Sequence, residues 1–406
     1  MDLGNGLGHL TYSTLVHPAD NWDELWSSLQ TFLPKVKARV SPNAPFGVCI
    51  RLAAPTAELL SENPAERTKL KNFLADNDMY VYTANAFPYG AFKGTVVKEQ
   101  VYEPDWRSEA RTQYTMAVAD ILADIGTNAV PPSIQTAPLG FKPNVTGPDV
   151  VASYTEHVLR VVAHLIQIEQ RTGRLVTLAI EPEPHCFLET TDETVDYFTN
   201  HLYSGASAAR LGKLASLPIS ETHVALRKHL GIVFDIGHQA VGFEHIPTSL
   251  QKLVDAGIPI FKLQEVAAMH IPEVTQQAVD ALAQFAKTVY LSQTVQKKDG
   301  QITKFLNLED AFAAWTSDPG PREWRTHFHV PVFLEDLGAF RTTRFALEDA
   351  LAFHKATPLS RQLEIETYTW DVLPEHLKTG DIVDYVCREI EWVKGQLVPA
   401  SEPMPA

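Results

Sequence analysis

Residues 178–186 read LAIEPEPHC, an apolar run that stops at two carboxylates and an imidazole. Glu181, Glu183 and His185 are separated by prolines, which fix φ and donate no N–H. A strand that ends this way either turns to solvent or builds a site. Other apolar runs end in chemistry of the same kind. GIVFDIGH (231–238) carries Asp235 and His238, and IPIFKLQ (258–264) carries Gln264. HFHVPVF (327–333) carries His327 and His329, and RQLEIET (361–367) carries Glu364 and Glu366. Buried carboxylates are costly unless paired, hydrogen-bonded or metal-bound. Several converging on one place would repel and raise one another's pKa. A divalent cation is the simplest remedy, and carboxylate and imidazole donors suit Mn²⁺, Zn²⁺, Mg²⁺ or Co²⁺.

Each residue also has a plainer role. Glu181 can be a surface or helix-dipole partner, Glu183 a solvated acid, and Asp235 the cap of a following turn. His185, His238, His327 and His329 can be packed core histidines. Glu364 can pair inside the protein with Arg51 or Lys262. Cys49, Cys186 and Cys387 are far apart and form no CxxC, so core filling is their default. Only Cys186, beside His185, is placed to act as a nucleophile, and that role would need a depressed thiol pKa.

The elements that must position these residues alternate. Strand-like runs at 9–14, 46–52, 79–87, 133–140, 175–181, 231–238, 258–264 and 361–367 are separated by helical patterns. Trp22, Leu25, Trp26, Leu29, Phe32 and Leu33 recur at helical spacing after Asp20, a candidate N-cap. Further helices are expected at 65–76, 107–125, 148–171, 247–256 and 379–397. Thr190–Glu193 is a capping-box pattern. Eight βα units favour a closed (β/α)8 TIM barrel in a single domain, 1–397, whose site gathers at the C-terminal strand ends. The stretch 265–326 is too long for one such unit. It is expected to hold a helix (272–287), a hairpin tipped by KKDG (297–300) and an amphipathic segment (307–315), forming an insertion near the barrel mouth. A flexible tail is expected at 398–406.

Composition sets outer limits. The chain has 406 residues, 45% of them hydrophobic, and a net charge of −15. That charge opposes docking on phosphate backbones, so no nucleic acid is expected as partner. The N-terminus lacks a basic-then-apolar leader, and no window is long and apolar enough to insert in a membrane. With the cysteine usage, this points to a reducing, cytoplasmic setting.

LAIEPEP, VFDIGH and LEIET, in that order on predicted strands, resemble the xylose-isomerase-like barrel superfamily of sugar isomerases and epimerases. GHLTYST, PFGVCIRL, AFPYG, VVKEQVYEPDW, HFHVPVF and LEIETYTWDVLP resemble EboE-type metabolite traffic proteins more closely, across residues 8–374. The superfamily resemblance implies a divalent cation held by Glu181, Asp235, an imidazole and Glu366, with His238 nearby. It also implies a small-molecule metabolite as ligand, and homo-oligomers are frequent in the group.

The resemblance falters at the seventh strand, where a histidine ligand is usual and IFKLQ offers Gln264. Either HFHVPVF is the true seventh strand and supplies His329, or Gln264 binds substrate or water beside fewer ligands. Alternation along His327-Phe328-His329 puts both imidazoles on one face and favours His329. The implied chemistry is isomerisation or epimerisation of a sugar-like α-hydroxycarbonyl through an enediolate. Glu181 and Glu366 would act as base and acid, and His238, Gln264, His185, Glu183 and His327 would contact substrate. The EboE resemblance implies an alternative, a binding or maturation role in metabolite traffic. The aromatics of NAFPYG and TYTW would be core or a stacking wall. The whole reading requires the side chains of 181, 235 and 366 to meet around one ion.

Overall fold

A computed structural model describes residues 1–94, 96–286, 290–374, 378 and 380–398. Its apolar runs form strands β1 (His9–Tyr12), β2 (Phe46–Arg51), β3 (Met79–Asn85), β4 (Ser133–Thr136), β5 (Thr177–Ile180), β6 (Leu230–Asp235) and β7 (Ile260–Glu265). A second group follows: β8 (Ala267–Ile271), β9 (Thr294–Lys298), β10 (Gln301–Phe305), β11 (Glu323–Val330) and β12 (Arg341–Thr342). Last comes β13 (Gln362–Ile365).

Strands β1–β7 and β13 make one parallel sheet in the order β1-β13-β7-β6-β5-β4-β3-β2. Its two edges meet through a parallel bridge from Ser13 to Cys49 and a 2.7 Å bond from the Thr11 hydroxyl to Gly47 O, so the sheet closes as a (β/α)8 barrel. Helices surround it, among them Trp22–Val40, Pro148–Thr172 and Ile382–Leu397. The barrel interior is filled rather than hollow. Gly47 is part of the reason: a Cβ there would lie 2.2 Å from the Tyr82 ring. Tyr82 instead crosses the lower barrel and donates to His9 O and Leu363 O at 2.9 and 3.1 Å. One layer up, Lys262 pairs with Glu364 at 2.5 Å, both without exposed side-chain surface. Of the two cations open to Glu364 in the sequence, it is therefore Lys262 that takes it. Arg51 instead donates to Pro88 O and Gly90 O and pins the NAFPYG loop.

After β7 only Val266 intervenes before the chain enters a second, antiparallel sheet of order β10-β9-β11-β8-β12. The β9–β10 turn is Asp299-Gly300, with φ of 50° and 78°. Those left-handed angles suit a two-residue hairpin that follows the strands' twist. The second sheet draws strands from Ala267 to Thr342, so HFHVPVF belongs to it although it lies beyond 265–326.

Several local expectations shift. Asn21, not Asp20, caps the first helix, its side chain accepting from Glu24 N at 3.0 Å. Asp20 reaches instead to Phe92 N and Lys93 N. The strand expected at 231–238 ends at Asp235, and Ile236–Val241 is helical. The strand expected at 133–140 ends at Thr136. Parts of the expected helices 272–287 and 379–397, at 287 and 379, and of the tail, at 399–406, lie outside the described residues. Among the described residues no helix is long and apolar enough to cross a membrane.

Glu389, on the last helix, ties the two sheets together. It is buried, and one of its oxygens accepts from the Thr367 hydroxyl at 2.7 Å and Val332 N at 3.2 Å. Burial pushes its carboxyl up to about 8 against those two hydrogen bonds. The unfolded chain then sheds this proton first, so stability falls as pH rises from the ordinary carboxylate range to about 8, and no further above it. Glu389→Gln keeps an acceptor for both donors and removes the ionisation. Unfolding free energies from urea titration are expected to match the parent near pH 4.5 and to exceed it at pH 8, by on the order of a few kcal/mol. Parallel pH profiles for the two proteins would refute this.

Candidate metal centre

Asp235 is the last residue of β6 and the N-cap of the short helix that follows, where its Oδ1 accepts from His238 N at 2.8 Å. The capping role is therefore real, but it uses one oxygen. Asp235 Oδ2 is buried and has no hydrogen-bond partner among the described residues. The cap also places His238 in the first helical turn, with Nε2 3.8 Å from that bare oxygen.

Three imidazoles converge here, each held from behind. His238 Nδ1 lies 2.9 Å from Pro182 O, and His329 Nδ1 bonds to Glu366 O. His327 Nδ1 lies 3.0 Å from Gln293 Oε1, and the amide nitrogen of Gln293 faces Pro184 O, which fixes which end of the amide meets the ring. A carbonyl only accepts, so each Nδ1 carries the proton and each Nε2 is a bare lone pair. These lone pairs face inward: His238 to His327 at 3.1 Å and His327 to His329 at 3.1 Å. The strand carrying two of them is irregular. The β11–β8 register slips between Thr326 and His329, a bulge of the kind that re-aims side chains beside sites. Phe328, between the two, packs on the Phe285 ring instead.

The acids come from the barrel. Glu181 follows β5, and its Oε2 accepts from Gln135 Nε2 at 2.6 Å. Glu366 follows β13 and accepts from Asn85 Nδ2 at 2.9 Å. Gln135 is itself oriented by Lys262, which donates to its Oε1 at 2.6 Å. Ligand atoms of Glu181, Asp235 and His238 lie within 4.8 Å of one another, as do those of Asp235, His329 and Glu366, and of His238, His327 and His329. Burial, then repulsion from neighbouring carboxylates, holds Glu181 and Glu366 well above the usual carboxylate range. Burial pushes Asp235 up to about 6 against the pull of His329. It pushes His238 and His329 down to about 4. These shifts share one cause: the pocket disfavours every charge that lacks an opposite charge inside it.

Of the sequence candidates, Glu181, Asp235, Glu366, His238, His327 and His329 come together. Glu183 stands at the edge, accepting from the Tyr102 hydroxyl at 2.9 Å, with burial raising its carboxyl to about 8. Gln264 lies deeper, bonded to Glu364 at 3.3 Å, and His185 turns away to Phe305 O at 3.0 Å. The idea that HFHVPVF is the seventh barrel strand is overturned. β7 pairs in parallel with β6 and β13, whereas β11 pairs antiparallel with β8 and β9. His329 reaches the mouth from the second sheet. Cys186 is buried, and burial raises its thiol, so it shows no nucleophile's character.

Asn85 and Gln135 were missed, although both are polar residues near the ends of strand-like runs and the same rule would have found them. Tyr102 ends a short 3-10 turn, Lys98–Tyr102, and Gln293 lies in a loop, so neither gave a period to read. Above the donors the cleft is walled by Leu15, Phe87, Phe92, Val101, Tyr290 and Tyr368. NAFPYG and TYTW thus divide: Phe87 and Tyr368 face the cleft, while Tyr89 and Trp370 pack on Tyr114 and Tyr385.

Fold and site together define a (β/α)8 barrel with a buried carboxylate–imidazole cluster at the C-terminal ends of its strands. No family model matches the chain, and no curated protein matches its sequence. Solved structures similar to it include a xylose isomerase-like TIM barrel protein from Mycobacterium smegmatis in complex with magnesium, at 11% identity, 96% of each chain covered and a TM-score of 0.49. They also include the IOLI protein with a bound zinc atom, at 12% identity, 96% of this chain and 98% of that one, TM-score 0.47. A third is a probable 3-DHS dehydratase, AsbF, from Bacillus anthracis, at 11%, 95% and 97%, TM-score 0.44. At such values the likeness carries no inference about chemistry.

The donors themselves fit a divalent cation: an orphaned carboxylate oxygen, two further acids and inward lone pairs. A chelator-treated sample is expected to gain thermal stability when Mn²⁺ or Zn²⁺ is restored, about 2.7 kcal/mol at a hundredfold excess over Kd. Asp235→Asn should lose most of that gain. A melting temperature indifferent to every divalent ion tried would count against the centre.

Proposed function

We propose that this protein is a divalent-metal-dependent isomerase or epimerase of a sugar-like α-hydroxycarbonyl compound. The observation that carries the reading is the unpartnered Oδ2 of Asp235 with Glu181 and Glu366 gathered around it. Glu181, Asp235, Glu366 and His329 would hold the cation. When bound, it supplies a Lewis acid for the hydroxyl and carbonyl oxygens and offsets negative charge developing there. The chain's own residues do the rest. Gln135 fixes one oxygen of Glu181, leaving Oε1 to take the proton from the carbon beside the carbonyl. Glu366, steadied by Asn85, returns a proton on its side. The pKa values of these two acids would be set by the bound cation and desolvation together. While its Nε2 is free of metal, His238 offers that lone pair to a substrate hydroxyl, its Nδ1 being held by Pro182 O.

The test is solvent exchange. In D₂O with added Mn²⁺, deuterium should enter the carbon next to the carbonyl of an accepted sugar or hydroxypyruvate-like compound. Glu181→Gln and Glu366→Gln should each slow this about 10²–10⁴-fold. Absence of exchange over a broad panel of ketoses, aldoses and their phosphates would overturn the proposal.

The apolar upper walls favour a second reading: a metabolite-binding role of the kind that HFHVPVF and LEIETYTWDVLP imply through their EboE-type resemblance. Calorimetry separates the two. Tight binding of an apolar or aromatic compound without turnover, unchanged in Glu181→Gln, would support the carrier.

A further inference from the structure

Six donor side chains meet at the barrel mouth, and their ligand atoms fall into three overlapping triads rather than one set of six. They divide by chemistry and origin. Glu181, Asp235 and Glu366 offer oxygen from the barrel strand ends. His327 and His329 offer nitrogen from the second sheet, and His238 offers nitrogen from the helix after β6. All three rings have Nδ1 committed to a carbonyl behind them, so all three Nε2 atoms point at each other without a proton to share. Two lone pairs at 3.1 Å repel. The same spacing becomes favourable around a cation. At Zn–N bonds of about 2.05 Å, donors 3.1 Å apart subtend about 98° at the ion, near the tetrahedral angle. The nitrogen atoms are already spaced as neighbouring ligands, and all three lie within 4.8 Å of one another.

We propose that His238, His327 and His329 form a second cation site, nitrogen-only and suited to Zn²⁺ or a similar borderline-soft divalent ion, beside the carboxylate site. His329 is within reach of both sets. With two ions bound it belongs to the nitrogens, and the other ion rests on Asp235, whose ligand atoms lie within 4.8 Å of one from Glu181 and of one from Glu366. The pairing matches donor preference, since imidazole suits zinc and carboxylate suits magnesium or manganese. A rival arrangement places a proton between the rings as a shared imidazolium. Burial and the absence of a carboxylate bonded to His327 Nε2 among the described residues disfavour that charge. This inference goes beyond the proposed reaction and holds whether or not the barrel turns over a substrate.

The experiment is a metal count on the full chain, dialysed against Zn²⁺ and then against buffer, with circular dichroism confirming that each variant is folded. The parent is expected to hold two equivalents. His327→Gln and, independently, His238→Asn should each hold one. The double variant Glu181→Gln/Glu366→Gln should also hold one, and Co²⁺ in its place should give the intense visible bands of a low-coordinate nitrogen site. If both histidine variants keep the parental count, the proposal is overturned. It is equally overturned if the parent holds a single ion that the histidine and the carboxylate variants all lose, because the donors then serve one centre. If only the histidine variants lose metal, the nitrogen site stands and the carboxylate reading above falls.

Discussion

A buried lysine inside the barrel sets the terms for everything above it. Burial works against the Lys262 charge, and Glu364 at 2.5 Å more than restores it. The same ammonium also donates to Gln135, and that bond turns the Gln135 amide nitrogen toward Glu181. One cation thus fixes an acid on β13 and, through an amide on β4, an acid after β5. Such a pair adds little net stability, yet removing one partner strands a charge in low dielectric at a cost of about 3–5 kcal/mol. Its value here is placement: it orders the floor on which the donor cluster rests.

Above that floor the site is a joint between two sheets. The barrel brings carboxylate oxygens on its strand ends, where (β/α)8 barrels gather their site residues. The second sheet brings imidazoles on a bulged strand that no barrel geometry would supply. Glu389 bonds to residues just beyond both contributing strands, and Tyr368, just after β13, lays its ring 4.6 Å from that of His329. The centre's geometry therefore depends on the docking of the insert as much as on the barrel.

The division explains how much the sequence disclosed. Barrel strands read as apolar runs ending in acids, so Glu181, Asp235 and Glu366 were legible from local pattern plus one architectural rule. His327 and His329 were legible as a pair sharing a face, but not as part of a second sheet, because strand-like composition does not say which sheet a strand joins. Weighing HFHVPVF as an alternative seventh strand followed from that blindness. Gln264 and His185 carried suitable chemistry at suitable spacing, and tertiary contacts sent them elsewhere, one below the site and one toward the inserted hairpin. Tyr102 and Gln293 mark the other limit, since a single 3-10 turn or a loop is too short to show a period that would announce which way it faces.

The sequence distance between Lys262 and Glu364, 102 residues, has a consequence for how the molecule is made. On the ribosome the lysine emerges with β7 long before its counterion, and the whole inserted sheet is synthesised in between. Until β13 arrives, that ammonium lacks the acid it meets in the finished barrel, and an unpaired charge in a dry interior is costly. The last strand then delivers the missing charge and the final rung together.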